Sequence, residues 1–371
     1  MRLDQALNRR RAPVQARFGT VTAVSPGICT VQVAGGEIPV IYLKGGAPSV
    51  GDFVRVHRQG VVSYLLNPPS GALWATDSAQ GIWRITTSGQ FTRLGTTQIP
   101  STGYLAAGPD KRMWADGNFG AWAATQGGQA TLYPVVDPNG YSLGAGVAWD
   151  AYGYLWIADQ PPFNVPPYMW RMATDGTYAT LGPWPRTSVF QNVATTPSGE
   201  TWVSDIGVDG VWWGPSSLSF ATDAVMISLS APPADLVYGP DGNMWASAQG
   251  ALELYVVNTG GLLSTIPMPS ICGALSNGPG QYIWAASSQY NELYRVDPLG
   301  NVTSYALSNG GNSVGAMALT LGPDKNLWGI YSTGQIGQSL AGKMTPGGVQ
   351  AYYPFPSVSP QASPFQIAVG P

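Results

Sequence analysis

The sequence is poor in charged residues and has no long hydrophobic run. Only 10% of its 371 residues are Asp, Glu, Lys or Arg, against about 25% in an ordinary globular domain. No segment approaches the about 20 apolar residues of a membrane-spanning helix, so we expect no membrane insertion. The first 20 residues hold no apolar core, so we also expect no signal peptide.

Cysteine and histidine are nearly absent. Cys29 and Cys272 lie in different halves of the sequence, which favours two buried thiols over a disulfide. His57 is the only histidine, and a lone imidazole predicts a surface strand residue rather than a metal ligand. We therefore expect no metal site and no cofactor.

Glycine and proline are abundant instead, with 48 and 32 residues, and they recur in one kind of turn followed by tryptophan. Clear copies read GPDKRMW at 108–114, GPDGNMW at 239–245, GPGQYIW at 278–284 and GPDKNLW at 322–328. With looser copies included, seven tryptophans align 39 to 46 residues apart: Trp74, Trp114, Trp156, Trp202, Trp245, Trp284 and Trp328. This period predicts four-stranded propeller blades.

Each repeat predicts an inner strand, a Gly-Pro-Asp turn, a Trp-bearing strand, a variable loop and an outer hairpin. Glycine in the turn allows a positive φ, and the tryptophan fills the wedge between neighbouring blades. The inner strand missing before SGALWATD at 70–77 is supplied by PFQIAVGP at 364–371. We therefore predict an all-β fold with a seven-bladed propeller over 68–371, closed by pairing of the C-terminal strand with the first blade.

The first 67 residues do not follow the repeat. Residues 1–17 form a basic arm that includes Arg9, Arg10 and Arg11, and 18–67 read as about five short strands of a small OB-like barrel. Residues 1–67 carry 8 Lys and Arg against 3 Asp and Glu, whereas 68–371 carry 9 against 17. Either the two surfaces are solvated independently, or the basic arm docks on acidic neighbours. Nucleic acid is a weaker expectation, because the barrel lacks a clustered basic and aromatic stripe.

Two resemblances follow from these motifs. Over about 70–371, the GPDG-x-x-W repeats resemble the virginiamycin B (streptogramin) lyase family. The barrel segment, with Ile38-Pro39-Val40, Val50-Gly51-Asp52, Val54 and Val56, is similar to small OB-like domains of minor tail proteins from siphophages that infect actinobacteria. The order of barrel and then propeller implies a phage minor tail protein.

The lyase resemblance implies histidine and glutamate around a divalent metal on one face of the ring. This propeller contains no histidine, and the family's Trp-x-x-Glu position holds no glutamate. Its occupants here are Asp77, Gly117, Asp159, Asp205, Ala248, Ser287 and Tyr331. Without a group that titrates near neutral pH, the ring has no evident general base, so we expect no enzymatic activity.

The three aspartates at these positions, Asp77, Asp159 and Asp205, are expected to face one mouth of the ring. They are candidate ligand or receptor contacts and could contribute to calcium binding, but capping of their own loops is the favoured interpretation. The loops that follow the tryptophans vary most, and loops on a rigid scaffold often carry binding. Candidate exposed aromatic anchors at this mouth are Phe163, Tyr168, Tyr290 and Tyr331.

The sequence therefore predicts a non-enzymatic structural and recognition protein of a phage tail tip. We expect residues 1–67 to attach to other tail-tip proteins, in several copies of a symmetric assembly, and the propeller to contact a host glycan or protein. The expected location is the virion, after synthesis in the host cytoplasm. The alternatives are a diverged streptogramin lyase-like enzyme and a non-viral propeller scaffold.

Overall fold

The structure is a computed structural model with two compact units, Met1–Gly71 and Ala72–Pro371. None of the helices among the described residues is long and apolar enough to cross a membrane. The residues described are 15–25, 28–33, 36–41, 53–59, 62–66, 72–77, 81–94, 102–117, 119–125, 129–136, 138, 144–162, 164–280, 282–333, 339–356 and 364–370.

The first unit holds a closed five-stranded barrel. Its strands are β1 Gln15–Ser25, β2 Ile28–Val33, β3 Gly36–Ile41, β4 Phe53–Gln59 and β5 Val62–Leu66. Their order around the barrel is β1-β2-β3-β5-β4, in which β1 pairs with both β2 and β4 and β3 runs parallel to β5. Cys29 and Val31 are both buried, as expected for alternate residues on the inner side of one strand.

The second unit contains seven four-stranded sheets, which are the blades of a propeller. Blade 1 contains β6 Ala72–Asp77, β7 Ile82–Thr86 and β8 Phe91–Leu94. Blade 2 contains β9 Thr102–Ala107, β10 Met113–Gly117, β11 Gly120–Ala124 and β12 Ala130–Pro134. Blade 3 contains β13 Gly144–Trp149, β14 Leu155–Asp159, β15 Met169–Met172 and β16 Tyr178–Leu181. Blade 4 contains β17 Phe190–Thr195, β18 Glu200–Asp205, β19 Gly210–Pro215, the short helix α1 Phe220–Asp223 and β20 Val225–Ser228.

The remaining blades follow the same order. Blade 5 contains β21 Pro233–Tyr238, β22 Met244–Ala248, β23 Glu253–Asn258 and β24 Gly261–Pro267. Blade 6 contains β25 Cys272–Asn277, β26 Ile283–Ser287, β27 Glu292–Val296 and β28 Val302–Ala306. A short hairpin, β29 Ser308–Asn309 and β30 Asn312–Ser313, leads to blade 7, with β31 Gly315–Leu321, β32 Leu327–Ser332, β33 Ser339–Met344 and β34 Gln350–Pro354. The last strand, β35 Pro364–Val369, belongs to blade 1.

The predicted closure of the ring is confirmed. Strand β35 pairs antiparallel with β6, and Ile367 lies opposite Ala75. The innermost strands β9, β13, β17, β21, β25, β31 and β35 contact one another all the way round. Closure therefore pairs the two strands that an open array would leave as free edges.

The predicted role of the repeated tryptophans is confirmed as well. Each of the seven packs against buried residues of the next blade around the ring. Trp245 of blade 5, for example, lies in one cluster with Ile283 and Tyr294 of blade 6. An indole is large enough to fill the gap that opens between two twisted sheets as they diverge from the axis.

The turn before each tryptophan has the expected hydrogen bonds. In blade 5, the Gly239 amide donates to the Asn243 carbonyl oxygen (2.7 Å), and Gly242 has a φ of +84°. The corresponding position in GPDKRMW is Lys111, which adopts the left-handed conformation without being glycine, at a φ of 64°. The turn geometry is therefore kept even where the sequence does not favour it.

Candidate functional site

The residues that lie three positions after the tryptophans form a ring at one end of the second strands. We call the loops at this end the contact face. Each residue of the ring lies opposite the beginning of its blade's innermost strand, as Asp159 does opposite Gly144 and Asp205 opposite Phe190. The ring residues Asp159, Asp205, Ala248, Ser287 and Tyr331 are all buried.

Asp205 shows what these residues do locally. Its carboxylate accepts hydrogen bonds from the Val189 amide (2.8 Å), the Gly207 amide (3.0 Å) and the Trp212 indole (2.9 Å). This arrangement fixes the loop that follows the second strand. Asp159 is equally buried, with no exposed surface. Neither carboxylate is available to an external ligand, so the prediction of a contact role for Asp159 and Asp205 is wrong and the loop-capping interpretation holds for Asp205.

The side-chain positions of Phe163, Asp77, His57 and the three arginines of the basic arm are not described. Phe163 and the basic arm with Arg9, Arg10 and Arg11 lie outside the described residues. Asp77 lies in β6 and His57 in β4, but the description of both positions is limited to the backbone. Their predicted roles therefore remain predictions.

The remaining aromatic candidates divide into three cases. Tyr290 is 58% exposed, and its amide donates to the Ser287 hydroxyl (2.8 Å), which fixes the loop beneath it. Tyr168 is half-buried, and its carbonyl oxygen accepts a hydrogen bond from the Asp159 amide (3.1 Å). Of the predicted aromatic contacts that the structure describes, only Tyr290 is well exposed.

The prediction of an exposed anchor at Tyr331 is wrong. Strand β32 continues past this residue, which is only 1% exposed. Its ring packs edge-on against Tyr352 at a centroid distance of 5.2 Å. Gly329 and Gly342 make room for it, since a Cβ at either position would lie within about 3.0 Å of the Tyr331 ring.

A groove of about 340 Å³ lies at the contact face beside blade 3. It is lined by Gln160, Pro162, Asn164 and Arg186, among others, and the Arg186 guanidinium donates to the Asn164 carbonyl oxygen (3.1 Å). This groove combines apolar ring surfaces with amide and guanidinium donors. Such a surface can contact a sugar or a peptide without chemical conversion.

A second cavity, of about 440 Å³, occupies the centre of the propeller between the innermost strands. Tyr104, Asn192 and Asp235 bring polar groups to its wall. The Asp235 carboxylate accepts from the Leu275 amide (2.7 Å), the Leu236 amide (2.8 Å) and the Asn192 side-chain amide. The central cavity is therefore built around one carboxylate whose oxygens already have donors.

Asp116 lies between the innermost strands of blades 2 and 3. A Cβ at Gly103 or at Gly144 would clash with its side chain, so both glycines are required for the carboxyl group to fit. Burial raises the pKa of Asp116 to about 7, although amide groups of Tyr104, Asp116 and Gly146 favour the charged form. Burial likewise raises the pKa of Asp235 to about 6. The negative charges of Asp235 and Asp116 add to burial in raising the pKa of Tyr104.

Sequence reasoning missed these central groups. Asp116 lies two residues after Trp114, and the equivalent position holds an uncharged residue in every other blade. That difference was the one signal in the sequence that could have identified Asp116. The functional chemistry they allow is proton exchange near neutral pH. Among the described residues, no group of three or more His, Cys, Asp or Glu side chains could hold a metal ion.

Comparison with known proteins identifies the fold. No protein-family model matches the chain, and no curated protein matches it. A streptogramin B lyase structure is 16% identical, with 85% of this chain and 94% of that chain covered at a TM-score of 0.58. A catalytically inactive virginiamycin B lyase from Staphylococcus aureus with quinupristin is 12% identical, with 86% and 97% covered at a TM-score of 0.59.

A protein from Lactobacillus plantarum is 19% identical, with 80% of this chain and 98% of that chain covered at a TM-score of 0.58. Identities this low establish a shared fold and not a shared activity. The chain is therefore similar to virginiamycin B lyase-like seven-bladed β-propellers.

Proposed function

We propose that the protein is a non-enzymatic recognition component of a phage tail tip. In this proposal the barrel attaches to the tail and the contact face of the propeller meets the host surface. The observation that carries it is the arrangement of a small closed barrel before a propeller. A barrel with the strand order β1-β2-β3-β5-β4 is compatible with an OB-like attachment domain, and OB-like barrels bind proteins as well as nucleic acids.

The contact face supports a binding role rather than a catalytic one. Its ring carboxylates are buried, and Asp205 is engaged with the loop that it holds. Tyr290 of blade 6 is exposed at the same face, and a groove lies next to blade 3. Exposed aromatic side chains on fixed loops are the usual anchors of protein and glycan contacts.

Particle adsorption tests the recognition role. Virions with Tyr290→Ala should assemble normally and adsorb poorly, and Phe163→Ala with Tyr168→Ala should weaken adsorption further. Tyr152→Ala is the matched control, because Tyr152 is 63% exposed but lies in the turn between β13 and β14, at the opposite end of the strands. Equal adsorption by all three kinds of particle would remove the contact-face proposal.

Attachment is tested separately by the location of the chain. Antibody labelling should find the protein at the tail tip, and substitution of Arg9, Arg10 and Arg11 by Ser should reduce its incorporation. A protein absent from purified virions would favour a cellular propeller scaffold instead.

A diverged lyase-like enzyme is the second candidate. Asp116 and Asp235 favour it, because both carboxyl groups have pKa values near the range in which acid-base catalysis operates, and because streptogramin lyases share the fold. Incubation of the purified protein with quinupristin and Mg²⁺, followed by mass spectrometry, separates the two. Our proposal expects no turnover; turnover that Asp116→Asn abolishes would replace it with the enzyme.

A further inference from the structure

The tetrapeptide Leu-Ser-Asn-Gly occurs twice in the sequence, at 275–278 and at 307–310. An asparagine followed by glycine cyclises readily, because glycine has no Cβ to shield its amide nitrogen and its backbone rotates freely. Since the four residues are the same in both copies, the fold decides whether Asn277 and Asn309 differ in reactivity. A third Asn-Gly pair, at 139–140, lies outside the described residues.

The first copy is fixed by hydrogen bonds and packing. The Asn277 side-chain amide donates to the Tyr238 carbonyl oxygen of blade 5 (2.8 Å), and the Gly278 amide donates to the Tyr282 carbonyl oxygen (3.1 Å). Gly278 is buried, and a Cβ at this position would clash with the Trp284 ring. Packing therefore opposes rotation of the backbone here, and both nitrogens that cyclisation involves are engaged in hydrogen bonds.

The second copy ends in the hairpin β29–β30, at the contact face between blades 6 and 7. Asn309 pairs with Asn312, and the turn residues Gly310 and Gly311 have φ values of 57° and 87°, the positive values of a type I′ turn. All four residues are exposed, and a Cβ on either glycine would meet nothing within 4 Å. Among the described residues, the Gly310 amide has no backbone acceptor. Solvent therefore surrounds both reacting groups.

The anchors of this hairpin lie at its base. The Leu307 amide donates to the Asn291 carbonyl oxygen (2.7 Å), and the Ser308 amide donates to the Gln350 side-chain oxygen (3.3 Å). The hairpin is a two-stranded sheet of its own with two residue pairs. A hairpin this short is marginally stable in water, so Asn309 can leave its extended conformation and rotate into the geometry of attack.

We propose that Asn309 is a site of spontaneous deamidation, a reaction that the fold permits there and opposes at Asn277. The Gly310 amide nitrogen gives up its proton and bonds to Cγ of Asn309, and the side-chain nitrogen takes up a proton and leaves as ammonia. Water then adds to one carbonyl of the succinimide and opens the ring, which restores the glycine amide. One water is consumed, one ammonia is released, and the product is an aspartate or isoaspartate at position 309.

The reaction changes the charge of the contact face. Residues 308–313 carry no charged side chain, so the product places a new carboxylate at the tip of the hairpin. In the isoaspartate the backbone runs through Cγ, which lengthens the chain by one bond and disturbs the pairing of Asn309 with Asn312. The inference depends on the geometry of the hairpin and not on the proposed tail role.

Mass spectrometry of the aged full-length protein tests the site. Protein kept at neutral and at mildly alkaline pH is digested with chymotrypsin, and the peptides that contain Asn277 and Asn309 are followed for conversion of an amide to a carboxyl group. In the folded protein Asn309 should react at least about tenfold faster than Asn277, because the packed copy must open first. Its rate should rise with pH, because the attacking amide is deprotonated.

Unfolding by urea provides the decisive comparison, because it removes the fold and keeps both tetrapeptides. The two asparagines should then react at similar rates. Asn309→Gln should abolish the reaction at this position, since the larger ring closes slowly, and Gly310→Ala should slow it through the added Cβ. The proposal is overturned if Asn277 and Asn309 react equally fast in the folded protein. It is equally overturned if the difference persists in urea, which would assign it to the following residues Pro279 and Gly311.

Discussion

The layer between the blades and the centre of the propeller handle buried polar groups in opposite ways. Between the blades the same hydrogen bond is repeated: four tryptophan indoles donate to four aspartate carboxylates of equivalent turns. At the centre Asp116 and Asp235 each occur once, and both have raised pKa values. The difference teaches that repetition in this chain marks packing, whereas a charged residue that departs from the repeat marks a local specialisation.

Removal of the closing strand should have the largest effect on stability, because it opens the ring and disrupts both the packing between blades and the centre of the propeller. Deletion of 364–371 removes β35, which pairs with β6 and contacts its neighbours in the inner ring. We expect a loss of most of the unfolding free energy, on the order of 5 kcal/mol or more, measured by urea denaturation. A chain shortened equally at its other end serves as the control. An unchanged urea midpoint after deletion of 364–371 would contradict the closure.

Asp116→Asn should change how the stability of the propeller depends on pH, which tests the buried carboxyl group at the centre. Since the pKa of Asp116 is raised to about 7 in the folded protein, the folded state binds the proton more tightly than the unfolded state. Its contribution is fully present below about pH 4 and is lost as pH rises towards 7. The variant should therefore be more stable than the parent at pH 8, by on the order of 4 kcal/mol, and similar to it at pH 4.

Thermal denaturation at both pH values measures this difference. Asp205→Asn is the control, because Asp205 accepts three hydrogen bonds and should lose stability at either pH. Equal stabilisation by Asp116→Asn at pH 4 and pH 8 would show that the gain does not come from proton binding.

Two alanine substitutions compare a blade that has the indole–carboxylate hydrogen bond with a blade that lacks it. Asp241→Ala removes the acceptor of the Trp245 indole and of the Asn243 amide, and should cost about 2 kcal/mol. Ser198→Ala alters the equivalent position of blade 4, where the tryptophan has no acceptor to lose, and should cost less than about 0.5 kcal/mol. Equal losses, by differential scanning fluorimetry, would show that the carboxylate does not act through the indole.

The smallest effect is expected in the turn itself. Lys111 is exposed and has a φ of 64°, so Lys111→Gly should relieve left-handed strain and raise stability by about 0.5 kcal/mol after the entropic cost of glycine. Gly242→Lys in blade 5 is the reciprocal control and should lower stability. A loss of stability in Lys111→Gly would indicate that the lysine side chain contributes more than the turn conformation costs.

The sequence was sufficient to predict the propeller because its information is repeated. Seven tryptophans spaced 39 to 46 residues apart specify a blade even where one copy of the turn, such as that before Trp74, is weak. The closing strand could be predicted for the same reason, since an incomplete copy at 364–371 matched the part missing before 70–77.

The site was less predictable because exposure depends on where each second strand ends. Strand β32 extends to Ser332 and buries Tyr331, whereas β26 ends at Ser287 and leaves Tyr290 in an exposed loop. The Asp116 side chain is enclosed by Gly103 and Gly144 of two other strands. The Asp235 carboxylate of blade 5 accepts hydrogen bonds from blades 4 and 6. Contacts of this kind form only when neighbouring blades pack side by side, so the local sequence pattern of one blade does not predict them.

The pairing of β35 with β6 also has a kinetic consequence. These strands are separated along the chain by the other six blades, so the contact that completes blade 1 is among the most distant in sequence that the propeller can make. The entropic cost of closing so long a loop comes before the favourable contacts of the strand pair form, and this slows folding. Until β35 arrives, β6 presents an unpaired edge, and during that interval the unfinished ring can pair with a strand of another chain. Folding yield should therefore fall with rising protein concentration even where the finished propeller is stable.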